Sequence, residues 1–95
     1  MNVNEEIKSK LIKVFKNRFD INIENFDADL YETNLLDSRI GIAPRDLVYL
    51  FFDIENEFKV KISEQSIISE RFSTINNIHE IVKELITNDL NNKAV

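Results

Sequence analysis

The sequence predicts an all-α domain, with three longer helices and one short helix around a single core and a long connection after the first helix. Three observations carry this. Apolar residues recur at helical spacing in three separate segments. The 95 residues include one Gly and one Pro, whereas all-β domains spend both freely on turns. Residues 20–43 show no sustained period, which leaves a connection longer than simple bundles use.

The first helix is predicted over residues 5–19. Ile7, Leu11, Val14, Phe15 and Phe19 share one face, and Lys8, Lys10, Lys13 and Lys16 turn mostly outward. Asn4 is the expected cap, and Glu5 and Glu6 suit the positive end of the helix dipole. In residues 20–43, Ile21, Ile23, Phe26, Leu30, Leu35 and Leu36 are scattered among Asp, Glu and Asn. They are expected to pin the connection across the mouth of the helices.

The second helix is predicted over residues 44–58. Pro44 suits the first helical position, where its missing N–H costs nothing, and Asp46 favours the first turn. Leu47, Leu50, Phe51, Ile54 and Phe58 form its buried stripe, widened by Val48. Tyr49 and Phe52 fall off the stripe, so the helix is either surrounded or presents an aromatic patch to a partner. "KVKIS" alternates like a strand but lacks a pairing partner, and reads as an extended link. Ser63 is expected to cap a short helix near 64–70, with Ile67, Ile68 and Phe72 inward. Ser73 or Thr74 caps a last helix, about 75–88, whose inner face is Ile75, Ile78, Val82 and Leu85, flanked by Ile81 and Ile86. The domain is drawn as 1–88, followed by a polar tail, 89–95, expected to fray.

Composition narrows the function classes. There is no Cys, no apolar run near the roughly 20 residues of a membrane span, and no basic-then-apolar leader, so the cytoplasm is the expected location. A monomer is expected, although none of these features decides it. Residues 1–19 carry five basic and two acidic side chains, while residues 20–95 carry seven and fifteen, which disfavours nucleic acid for most of the chain. The basic first segment reads as a solvated Lys face, with a docking face as the alternative. His79 is the single His, and it cannot form a Zn site or a Cys–His pair within one chain. With Gly41 alone there is no glycine-rich phosphate loop. Asp27/Asp29 and Asp53/Glu57 read as a solvated acidic face, since so small a core gives them no dry pocket. The chain is not expected to be an enzyme on its own.

The stretch "DLYETNLLDS", residues 29–38, resembles the approach to the modified serine of acyl carrier proteins, and especially of D-alanyl and peptidyl carriers. "DLVYLFFDIENEFKVKI" resembles their second helix, and "ISEQSIISERFSTINNIHEIVKELI" their short third helix, capped turn and fourth helix. "PRDLVYLFF" is similar to a divergent carrier-related group associated with bacterial peptide-maturation systems. The resemblance spans nearly the whole chain and implies an acyl-carrier-protein-like four-helix bundle. It implies a 4′-phosphopantetheine arm on Ser38, added by a phosphopantetheinyl transferase, with Asp37 presenting the serine and helping to position the transferase's metal. Acyl- or aminoacyl-activating and transfer enzymes would then meet the face around Asp46, Tyr49, Asp53 and Glu57, with Arg39 beside the serine.

Two features depart from that pattern. Arg39 stands where the family has an apolar residue, and "RIGIAP" separates the serine from the Pro44 helix signal, whereas the family's second helix starts at the serine. A second reading therefore stays open, of a carrier-like fold without the arm that docks partners through Tyr49 and Phe52 on the second helix.

Overall fold

Helical spacing in the first segment closes into α1 (Val3–Phe19), whose Ile7, Leu11, Val14 and Phe15 are buried. The computed structural model describes residues 3–62 and 72–93, with side-chain surroundings for 3–62 and 72–87. After α1 come a 3-10 turn (Ile23–Asn25), α2 (Ala28–Tyr31), α3 (Asp46–Phe58) and α4 (Ile75–Lys93). The described residues include no strand, and α1 packs against both α3 and α4. The predicted short helix at 64–70, with Ser63, Ile67 and Ile68, lies outside the described residues.

Asn4 does not cap α1. The helix begins one residue earlier, and Asn4 instead turns its Oδ1 to His79 Nε2 on α4, 3.3 Å away. α1 ends where Asp20 takes a left-handed φ of 58°, with Asp20 N–H donating to the Lys16 carbonyl and Ile21 N–H to that of Phe15. α3 ends alike at Lys59, also φ 58°, with the Lys59 and Val60 amides donating to the Glu55 carbonyl.

On α3, Leu50, Ile54 and Phe58 are buried, and Leu47 and Phe51 are half-buried, as their spacing predicts. Val48 does not widen the stripe and is 55% exposed. At 100° per residue it lies roughly 200° around the helix from Leu50. Tyr49 and Phe52 are also exposed, so the helix is not surrounded. Beyond α3, Ile62 is buried and its N–H donates to Glu55 Oε2 at 2.8 Å.

The connection is pinned as expected, though not by every residue named for it. Ile23 and Leu35 are buried, Ile21, Phe26 and Leu30 are half-buried, and Leu36 is exposed. Ile40 and Ile42, inside "RIGIAP", are buried too. Leu35 N–H donates to the Ser73 carbonyl at 2.8 Å, and Ile42 N–H to the Leu35 carbonyl at 3.3 Å, so the connection is tied to the start of α4. Asp27 Oδ1 caps α2 by accepting from Leu30 N–H.

Of the two cap candidates for α4, Thr74 serves, with its Oγ1 accepting from Asn77 N–H at 3.0 Å. Thr74→Ala is expected to cost about 1 kcal/mol, read as a lower urea midpoint with an unchanged slope. The helix does not stop at 88 but runs on to Lys93, because "NDLNNK" holds no Gly or Pro to end it. The described helices include none long and apolar enough to cross a membrane.

Candidate functional site

Ser38 is exposed in a tight turn held by backbone hydrogen bonds and by the side chains of Asn34 and Asp37. Asn34 Oδ1 accepts from Leu36 N–H, and Asp37 N–H donates to the Asn34 carbonyl. The Asp37 carbonyl then accepts from both Ile40 N–H at 2.9 Å and Gly41 N–H at 2.8 Å. Gly41 has φ +85°, where a side chain would be strained although an added Cβ would approach nothing closer than the Ser38 carbonyl at 3.9 Å. Burial of Ile40 and Ile42 anchors the far side of the turn.

Ser38 precedes Asp46, the first residue of α3, by eight positions, so the serine does not stand at a helix start. Asp37 is engaged by Arg39. Its Oδ1 accepts from Arg39 N–H at 2.9 Å and Nε–H at 3.1 Å, and its Oδ2 from Nη2 at 3.4 Å. These bonds, the guanidinium's first and the backbone's second, hold the Asp37 carboxyl below its ordinary value. Arg39 Nη1 also reaches Asp29 Oδ2 at 3.4 Å.

The expected partner face of α3 divides in two. Asp53 receives a two-pronged bond from Arg18 of α1, Nε at 2.6 Å and Nη2 at 2.9 Å, and Glu57 pairs with Lys13 at 2.9 Å. The Arg18 guanidinium also lies 5.4 Å from the Tyr49 ring centre. Asp46 is half-buried near the start of the helix. Asp53, Glu57 and Tyr49 therefore meet α1, and Phe52 turns elsewhere.

Phe52 borders an apolar groove of about 510 Å³ with Leu35, Leu36, Leu47, Val48 and Phe51. The Phe51 ring stands edge-on to both Phe52 and Phe72, at 5.5 and 5.9 Å between centres. Leu36, Val48 and Phe52 are 45, 55 and 54% exposed and form an apolar rim, of which the sequence pattern singles out only Phe52. Leu36, expected to pin the connection, turns outward instead, and its place beside an inward Leu35 is the one signal for that turn.

His79 is half-buried, and burial pushes its pKa below 6.5, with Glu80 opposing and Lys83 and Lys8 adding to the shift. A base with a depressed folded-state pKa contributes stability that is fully present above its unfolded value and is lost as pH falls through the folded one. Urea midpoints taken from about pH 7.5 to about pH 5 should therefore fall further in wild type than in His79→Gln. Parallel profiles would contradict this.

Among the described residues, no group of three or more His, Asp or Glu is placed to hold a metal ion. What the turn offers is an exposed primary hydroxyl, an adjacent cation and a carboxylate already bonded to that cation. Set against protein-family models, curated proteins and solved structures, the chain finds no match in any of the three.

Proposed function

We propose that the chain is a carrier protein of the acyl-carrier type, bearing a 4′-phosphopantetheine arm on Ser38 and working in the cytoplasm with acyl- or aminoacyl-activating and transfer enzymes of a specialised biosynthetic pathway, peptide maturation among them. The observation that carries the reading is the exposed Ser38 on a turn held by the Asp37 carbonyl and by buried Ile40 and Ile42. It is supported by the likeness of "DLYETNLLDS" and the segments after it to carrier sequences. A primary hydroxyl and a neighbouring cation suit a phosphodiester-linked group. The arm, when bound, supplies the thiol that holds cargo as a thioester. Loading makes one bond from Ser38 Oγ to phosphorus, breaks the pyrophosphate bond of coenzyme A, releases adenosine 3′,5′-bisphosphate and gives up the hydroxyl proton. The transferase, not this chain, supplies the catalytic groups and metal for that step.

The test is intact mass after incubation with coenzyme A and a broad-specificity phosphopantetheinyl transferase. Wild type should gain one arm and Ser38→Ala none. No gain with several transferases would overturn the reading.

A second reading, a carrier-like fold that lost the arm and docks partners, is favoured by one specific observation, the occupation of Asp37 by Arg39. Its contact surface is the exposed Tyr49 and Phe52. Under it, partner binding survives Ser38→Ala and fails in Tyr49→Ala or Phe52→Ala. Unchanged binding in both aromatic variants would exclude it.

A further inference from the structure

Residues 20–43 carry six carboxylates and one cation, Arg39. That cation directly follows Ser38 and is held unequally by two partners. Asp37 binds it through Nε and Nη2 and through the backbone N–H, so the pair is closed on several sides. Asp29 holds it by one contact, Nη1 to Oδ2 at 3.4 Å, from a side chain that is 78% exposed. Two carboxylates against one guanidinium leave this cluster with an excess negative charge. A phosphodiester on Ser38 would add another, in a connection with no second cation to meet it.

Resting on the carrier reading, we propose that Arg39 is the positioning residue for the phosphodiester on Ser38. Its guanidinium keeps Asp37, gives up Asp29 and turns the freed Nη1 donors to the phosphate oxygens. Asp29 is the contact that yields, because it rests on a single 3.4 Å bond from a more exposed side chain, whereas Asp37 is held by two guanidinium bonds and a backbone N–H, and water takes over the solvation of Asp29 at little cost. Asp37 remains as the strut that aims the guanidinium. The planar fork of Arg can serve a carboxylate along one edge and a phosphate along the other, which an ammonium cannot do with the same geometry. The root of the arm is thereby fixed against the turn instead of swinging from a free serine. An apolar side chain at this position could not do this. A helix N-terminus favours a phosphate through its own N–H groups, and a serine eight positions upstream needs another donor.

Wild type, Arg39→Leu, Arg39→Lys and Asp29→Asn, each loaded with coenzyme A and transferase, are compared by intact mass and by phosphorus NMR of the loaded protein. Wild type and Asp29→Asn should load alike and share one phosphorus resonance. Arg39→Leu should load about tenfold more slowly, with a displaced and narrower resonance, and Arg39→Lys should fall between. If Arg39→Leu fails to load, Arg39→Lys supplies the spectrum, and a resonance there identical to wild type would overturn the proposal. Identical resonances and widths in wild type and Arg39→Leu would overturn it as well, while leaving the carrier reading intact. No added mass on wild type or any variant would overturn the carrier reading itself, and the role of Arg39 with it.

Discussion

Leu50→Ala should destabilise the domain by about 2.5–5 kcal/mol, the range for truncating a fully buried Leu where the surroundings relax only in part. Leu50 is 0% exposed on α3, in the same core as Ile7, Leu11 and Phe15 of α1. Small domains have roughly 5–15 kcal/mol in total, so this one change should remove a large share of the stability. Urea unfolding followed by far-UV circular dichroism should show a lower midpoint with an unchanged slope. A loss under about 1 kcal/mol would mean that α3 is not packed at the centre of the core.

Leu35→Ala should cost about 2–4 kcal/mol and act unevenly. Leu35 is 0% exposed, yet it belongs to the connection and not to a helix. Its N–H donates to the Ser73 carbonyl and its own carbonyl accepts from Ile42 N–H, so burial of its side chain anchors the backbone that makes both bonds. Amide exchange should accelerate most at Ile40, Gly41 and Ile42, whose N–H groups form the turn that carries Ser38. Equal acceleration along α1 would show instead that the turn opens only when the whole domain unfolds.

How much of this was legible in the sequence depends on the distance over which each choice is made. The buried faces of α1 and α3 follow from spacing within one helix, so Leu11, Phe15, Leu50 and Ile54 could be read directly. The start of α4 carried a local signal in Thr74. Its end carried none, because Asn and Asp neither stop a helix nor promote one strongly. Ile40 and Ile42 alternate in the short segment that separates the serine from Pro44, and only tertiary packing decides that both face inward. Val48 shows the opposite error, an apolar residue credited to a face it does not share.

The candidate site divides in the same way. Ser38 and Asp37 could be picked out, and the displacement of the serine from a helix start followed from Pro44. The bond between Arg39 and Asp29 spans ten residues and depends on where α2 lies, so no local pattern announces it. The charge contrast between residues 1–19 and the rest was visible, but not that Arg18 and Lys13 would take Asp53 and Glu57 for themselves.

That last pairing makes α1 a resident competitor for the acidic edge of α3. A visiting cation gains Asp53 only by evicting Arg18, which already holds both carboxylate oxygens and lies over Tyr49. The exchange swaps one ion pair for another, so its net yield is small whatever the visitor's charge. Recognition along this edge would then discriminate by shape, with affinity changing little as salt is added, because salt weakens the outgoing pair and the incoming one alike.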